Sequence, residues 1–187
     1  MEVSTKSSDR RDQGVYFART DYLGFWRRLL IDVVDVGVVA MLSVVLGAVV
    51  ISLPLPSRSR AFVLWTMLIG LWFSYFVLLK RSAWRTLGYR FGRGRIVSIS
   101  GDSPSVWQLT LRLAFVIIGP VNLLFDLLFI TSDEHRQAIR DKFAATYVVK
   151  SWALPKGRGR ILISYYHIMG TTWLFREVKP DATEAAT

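Results

Sequence analysis

Three charged residues near the start of a long apolar segment have the types and spacing of an intramembrane ion-pair or proton site. Arg28, Asp32 and Asp35 occur within the stretch FWRRLLIDVVDVGVV, residues 25–39. In an α-helix, Arg28 lies about 40° around the axis from Asp32 and about 20° from Asp35. The three side chains therefore share one narrow helix face, whereas Arg27 lies about 100° away from Arg28 and reaches lipid headgroups.

Asp35 lies deep in the apolar segment, where a charge is energetically costly. Asp35 lies about 10 Å along the helix axis beyond Arg28. An isolated charge inside a bilayer costs on the order of 2.5–3.5 kcal/mol on the insertion scale. Two interpretations remain open: an internally satisfied Arg–Asp pair that fixes helix packing, or part of an ion or proton route.

The apolar segments that carry these residues predict a membrane protein. Of the 187 residues, 52% are hydrophobic, and the net charge of +10 comes from basic stretches that flank the apolar ones. We predict two spans at about residues 29–53 and 61–79, and a third at residues 107–131 that is kinked or re-entrant at Gly119-Pro120. The third segment carries additional candidates for intramembrane polar residues, namely Arg112, Asn122 and Asp126.

Two short β-like runs lie outside the predicted spans, at residues 96–100 and 146–150. We expect them to pair at the cytoplasmic face, which brings Asp141 close to the start of the first span. The predicted fold class is therefore an all-α membrane protein, a small bundle of two to three transmembrane helices with a short cytoplasmic β-like pairing.

The ends of the chain differ from the membrane domain, which we place at residues 21–150. Residues 1–20 are predicted to be a flexible polar tail. Residues 151–187 form a basic, amphipathic extension, in which residues 161–175 are an interfacial helix or a strand. Counts of Lys and Arg place the N-terminus and the loop at residues 80–106 in the cytoplasm, whereas the side on which the C-terminal tail lies remains open.

Several function classes lack their motifs in this sequence. Cysteine is absent, and no nucleotide-binding fingerprint, esterase elbow or metalloprotease helix occurs. We therefore expect no enzymatic activity, no metal or cofactor and no nucleic-acid partner, because basic membrane flanks explain the positive charge. The pentapeptide GRGRI occurs at residues 92–96 and 157–161. We interpret it as a basic juxtamembrane turn in preference to a turn that binds phosphate or lipid headgroups.

Three ordered motifs, within about residues 21–150, resemble those of the RDD family of bacterial membrane proteins. The first is GFWRRLL at residues 24–30 followed by Asp35, and the second is Thr86-Leu87-Gly88 with the basic, β-like run after it. The third is RDKFAAT at residues 140–146, where the family usually has His-Asp-Lys-x-Ala-x-Thr. The resemblance implies that the arginine and the two aspartates that name the family are Arg28, Asp35 and Asp141.

Two residues depart from the family pattern. Arg140 stands where the family usually has His, which removes a group that titrates near neutral pH. Asp32 is an acid where the family usually has a small or apolar residue.

The resemblance implies a multi-pass protein of the bacterial inner (plasma) membrane, and the counts of Lys and Arg predict that its N-terminus is cytoplasmic. Its expected partners are the lipid bilayer, a second copy or another membrane subunit, and a monovalent cation or proton. Two functions remain open. One is a cation/proton transport component that uses the Arg/Asp cluster. The other is a non-catalytic accessory or scaffold subunit in which the cluster serves helix packing.

Overall fold

A computed structural model describes residues 13–117, 126, 129–131, 133, 135–168 and 171–180. The helices are α1 at Phe25–Ser52, α2 at Ser57–Phe73 with a π-helical continuation at Ser74–Leu79, α3 at Leu87–Phe91, α4 at Val106–Ile117 and α5 at Ile139–Phe143, and a 3₁₀ turn covers Phe129–Thr131. The strands are β1 at Gln13–Tyr16, β2 at Gly94–Ser98, β3 at Thr146–Lys150, β4 at Gly157–Ile168 and β5 at Thr171–Pro180.

Two helices in the described chain are long and apolar enough to cross a membrane. They are α1, with 28 residues, and α2 together with its π-helical end, with 23 residues. Pro54 and Pro56 lie between them and prevent one continuous helix, because proline lacks the N–H group and clashes with the preceding turn. Both predicted spans are therefore present as helices, and each begins four residues before its predicted start, with a first turn that includes arginine.

The third apolar segment is described in part. Its first residues form α4, Val106–Ile117, and residues 126 and 129–131 are described further along. The predicted kink at Gly119-Pro120 lies outside the described residues, and so does Asn122.

The expectation of an all-α protein does not hold, because the described chain contains two antiparallel sheets. β2 pairs with β3, with Ile96 opposite Val148 and Val97 opposite Tyr147, which confirms the predicted pairing of these two runs. The second sheet has the order β1-β4-β5. Its long hairpin forms because the C-terminal extension is rich in β-branched and aromatic residues, which favour strands.

The second sheet also changes the predicted ends of the chain. Residues 161–175, expected as an interfacial helix or a strand, fall mostly within β4 and β5. Residues 13–16, which the sequence assigns to the polar tail, form β1 and pair with β4. Val15 and Tyr16 are buried there, so this part of the tail is held by apolar packing.

The sheet of β2 and β3 lies between two hydrophobic cores. Side chains alternate between the two faces of a strand. Ile96 and Val148 consequently pack in a core with α1, the π-helical segment, α3 and α4. Val97 and Tyr147 pack in a second core with β1 and β5. This small sheet thus connects the membrane helices to the β-rich part of the chain.

Candidate functional site: a buried ionic cluster

Five buried residues form a stripe along the first half of α1: Arg28, Ile31, Asp32, Asp35 and Val39. They recur at intervals of one to four positions, so they lie on one helix face. The three charged residues share that face, as helical geometry predicts, and Arg27 is exposed. In the described chain, however, Arg28 contacts neither aspartate of its own helix. Each of the three binds a partner from a different part of the chain.

Asp141, on α5, is the acceptor for two buried arginines. Arg28 Nη1 donates a hydrogen bond to Asp141 Oδ2, and Arg112 Nη1 donates one to Asp141 Oδ1. The backbone N–H of Ala138 adds a third hydrogen bond at 3.2 Å. Burial raises the pKa of Asp141, but Arg112, Arg28 and a smaller contribution from Arg140 outweigh burial and lower the pKa to about 2. The carboxylate is therefore ionised at neutral pH.

Both arginines make further hydrogen bonds within the protein, although Arg112 Nε is buried without a partner among the described residues. Arg28 Nε donates to the carbonyl oxygen of Leu23 at 3.0 Å, and its Nη2 donates to that of Arg136 at 2.6 Å. Arg112 Nη1 also donates to Thr146 Oγ1 at 2.9 Å. These bonds join α1, α4 and the start of β3 around one carboxylate.

Asp32 and Asp126 bind the same arginine, Arg140. Arg140 Nη2 donates to Asp32 Oδ2 at 2.5 Å, and its backbone N–H donates to Asp126 Oδ1 at 2.6 Å. Arg140 Nε lies 3.0 Å from Asp126 Oδ2, although the angles there do not make a hydrogen bond. Asp126 therefore belongs to the cluster through Arg140, whereas Arg112 binds Asp141.

Asp35 is bound mainly by neutral donors. Tyr75 Oη donates to Asp35 Oδ1 at 3.0 Å, the N–H of Gly88 donates to the same oxygen at 2.8 Å, and Thr86 Oγ1 donates to Oδ2 at 2.7 Å. Gly88 approaches α1 so closely that a Cβ atom there would lie 2.3 Å from the carbonyl oxygen of Ile31. Only glycine allows this approach at the observed backbone positions.

Two buried lysines complete the charged groups around the cluster. Lys80 Nζ lies 3.8 Å from Asp35 Oδ2. Lys142 Nζ lies 2.6 Å from Asp133 Oδ1 and 2.5 Å from Glu177 Oε1. The second lysine therefore ties α5 to β5, outside the group of residues that contacts α1.

The sequence indicated some of these residues without their roles. Thr86 and Gly88 belong to the Thr-Leu-Gly motif, but nothing in the motif shows that both donate to Asp35. In the sequence, Arg140 differs from its neighbours only as a departure from the family pattern. Lys80 is one basic residue of the loop at residues 80–106, and no spacing in the sequence relates it to Asp35. These contacts join residues 45 to 108 positions apart, and contacts at such separations have no local signal.

The cluster is electrically balanced within the described residues. Four carboxylates contact four basic side chains: Asp32, Asp35, Asp126 and Asp141 with Arg28, Lys80, Arg112 and Arg140. Such an arrangement holds elements in one relative position, because removal of either partner leaves a buried, uncompensated charge. In the described part of the chain, no group of His, Cys, Asp and Glu residues has the arrangement to hold a metal ion.

The described chain thus combines two helices that are long and apolar enough to span a membrane with a buried ionic cluster enclosed by a β-containing unit. The RDD family matches this chain over residues 22–145, more than half of its length. The chain belongs to the RDD family, and the family membership and the two apolar helices together fit a membrane protein. Searches among curated proteins and among solved structures give no match.

The structure explains why the three family motifs occur together. Arg28 and Asp35 of the first motif bind different motifs: Arg28 binds Asp141 of the third, and Asp35 binds Thr86 and Gly88 of the second. The two departures from the family pattern are also in contact, because Asp32 pairs with Arg140. The extra acid thus compensates for a permanent charge at the position where the family usually has His.

Proposed function

We propose that this protein is a non-catalytic accessory or scaffold subunit of a membrane complex, in which the Arg/Asp cluster serves packing. The observation that carries this proposal is that each carboxylate of the cluster has a basic partner inside the same chain. Asp35 in particular accepts three hydrogen bonds and has Lys80 nearby. A carboxylate that is so completely bound is suited to holding elements together and poorly suited to exchanging ions.

The outer surfaces of the two long helices support the same proposal. No residue of α2 between Ser57 and Phe73 is buried, and the exposed side chains there are mostly large and apolar, as at Phe62, Trp65 and Ile69. In the described chain these helices enclose no polar route of their own. Their apolar faces are available for lipid, for a second copy or for the helices of another subunit.

Reconstitution of the full chain tests this proposal. We expect purified wild-type protein in liposomes to catalyse no Na⁺/H⁺ or K⁺/H⁺ exchange above that of empty liposomes, measured with a pH-sensitive dye. We also expect its mass in mild detergent, from light scattering corrected for detergent, to exceed the 21.3 kDa of one chain. If the complex contains a different subunit, a mass above that of one chain is expected only when both subunits are extracted from the membrane together.

A cation/proton transport component is the second candidate, because Lys80 lies 3.8 Å from the intramembrane Asp35 and also lines a polar cavity. The variant Asp35→Asn distinguishes the two candidates. Its control is Asp21→Asn, at a partly exposed carboxylate that contacts neither the cluster nor the cavity. The scaffold proposal predicts that Asp35→Asn lowers the amount of folded protein. Transport would be established instead if the wild type exchanges cations, Asp35→Asn abolishes the exchange at an equal protein level, and Asp21→Asn retains it.

A further inference from the structure

A basic cavity lies beside the end of the second membrane helix. Its volume is about 320 Å³, and it is formed by the segment after the π-helix, by β2 and by the turn that follows β2. Its charged lining residues are four cations and one carboxylate: Lys80, Arg81, Arg85, Arg95 and Asp102. Even when Lys80 is counted with Asp35, three arginines face one carboxylate, so the cavity carries an excess of positive charge, which favours an anionic ligand.

Lys80 is the most buried cation of this cavity, with 8% of its side chain exposed. Its ammonium group lies 4.7 Å from the ring centre of Phe76 and 5.2 Å from that of Tyr89. Asp35 Oδ2 is 3.8 Å away, beyond hydrogen-bond distance. Among the described residues the ammonium group makes no hydrogen bond. Burial lowers the pKa of Lys80 to about 8, although Asp35 opposes this change.

Two arginines of the cavity also retain free donor capacity. Arg85 Nη1 donates to the carbonyl oxygen of Gly94 at 3.2 Å, and Arg95 Nη2 donates to that of Ala153 at 2.6 Å. Each guanidinium group has five N–H donors, so both arginines have further donors beyond these two bonds.

The position of the cavity suits a ligand at the boundary between membrane and water. Lys80 directly follows Leu79, the last residue of the second membrane-length helix. Trp84, four residues further on, and Trp26, at the start of the antiparallel α1, are each 77% exposed. Tryptophan is enriched at the headgroup level of bilayers, so these residues place the cavity close to lipid phosphates.

We propose that this cavity binds a phosphate group through Lys80, Arg81, Arg85 and Arg95. Arginine and lysine donors that converge on one site match the several acceptor oxygens of a phosphate. The first GRGRI pentapeptide thus contributes Arg95 to a binding site, whereas the second begins β4 and none of its residues lines the cavity. The phosphate is either the headgroup of an anionic phospholipid or part of a water-soluble molecule. This inference is independent of the proposed scaffold function.

The full chain in a neutral detergent is the material for the test. Two probes are titrated separately at constant ionic strength, inorganic phosphate and the short-chain lipid dihexanoyl phosphatidic acid, with dihexanoyl phosphatidylcholine as the lipid control. The readout is the midpoint of thermal unfolding. We expect a saturable rise with phosphatidic acid and none with phosphatidylcholine. A matching rise with inorganic phosphate identifies a water-soluble ligand, and its absence identifies a lipid.

Charge-neutral variants locate the site. We expect Lys80→Gln to weaken the apparent affinity by roughly tenfold or more, because a charge-assisted hydrogen bond is lost. Since Lys80 also contacts Asp35, Arg81→Gln, at an exposed position that leaves the fold intact, provides the second variant, with an expected weakening of about three- to tenfold. Arg158→Gln removes an exposed arginine of the second pentapeptide and serves as the matched control, with less than about a twofold change.

Two results would overturn the proposal. One is that neither inorganic phosphate nor phosphatidic acid shifts the unfolding midpoint of the wild type. The other is that Arg81→Gln and Arg158→Gln weaken binding equally, since the anion would then be attracted by overall charge and not by this cavity.

Discussion

The two halves of α1 have opposite environments. The first half buries Arg28, Asp32 and Asp35 against other elements of the protein. In the second half, Val50 is buried, whereas aliphatic residues such as Val44, with 72% of its surface exposed, face outwards. Charged residues are thus enclosed by protein, and apolar residues are exposed.

The second membrane-length helix shows the same contrast. Its α-helical part from Ser57 to Phe73 contains no buried residue, whereas its π-helical end buries Tyr75, Phe76 and Val77. These three lie beside the charged half of α1, and one of them, Tyr75, donates a hydrogen bond to Asp35. Lipid solvates aliphatic side chains but not ions, so only the charged end requires enclosure by protein. The three predictions that follow test this difference between the enclosed and the exposed ends.

The largest effect is expected for Asp141→Ala at the enclosed end. The change leaves Arg28 and Arg112 buried without their carboxylate, which costs about 3–5 kcal/mol of unfolding free energy. Val44→Ala at the exposed end is the comparison and should change the free energy by no more than about 0.5 kcal/mol. Denaturant unfolding in detergent measures both. Equal effects would show that the charged end is not the part that determines stability.

A smaller free-energy effect is expected for the coupling between Asp32 and Arg140, the two residues that depart from the family pattern. Asp32→Ala and Arg140→Ala should each destabilise the protein, because each leaves the partner buried without its opposite charge. In the double variant the loss should be less than the sum of the two, with a coupling energy of roughly 1–3 kcal/mol. Asp32→Ala combined with Val44→Ala is the control pair, for which additivity is expected. Additive losses for Asp32 and Arg140 would contradict compensation between them.

An effect of similar size, at a position without charge, is expected for a glycine at the enclosed end. Gly88→Ala places a Cβ atom 2.3 Å from the carbonyl oxygen of Ile31 and 2.7 Å from Asp35 Oδ1, and such overpacking costs about 1–3 kcal/mol. Gly47→Ala is the control, since nothing lies within 4 Å of the added atom. In a helix the control should be neutral or stabilising by up to about 1 kcal/mol. A destabilising Gly47→Ala would indicate that a partner helix packs there.

The sequence predicted the elements that depend on local pattern. Apolar runs of sufficient length predicted both membrane helices, and β-branched runs at residues 96–100 and 146–150 predicted strands that do pair. It failed at β1, where only four residues form the strand and pairing with β4 provides the stabilisation. The all-α expectation failed because residues 161–175 are compatible with either a helix or a strand. Pairing between β4 and β5 decides in favour of strands.

The candidate site was predictable as a set of residues but not as a set of pairs. Helical geometry placed Arg28, Asp32 and Asp35 on one face. This geometry predicts an ion pair between Arg28 and an aspartate of the same helix, but no such pair forms in the described chain. Arg28 instead binds Asp141. Asp35 instead accepts hydrogen bonds from Thr86 and from the backbone N–H of Gly88. These partners satisfy several hydrogen-bonding groups of the buried charges at once, as burial requires.

By itself the sequence determined where the membrane helices lie, which face of α1 is charged and which family the chain belongs to. Each of these follows from a local spacing or an ordered motif. Only the tertiary structure decided which charge neutralises which, because buried ions choose partners by distance and hydrogen-bond geometry, and the partners of α1 lie from 40 to 113 positions away along the chain. The enclosure of Lys80 beside a basic cavity is likewise a consequence of packing between distant segments.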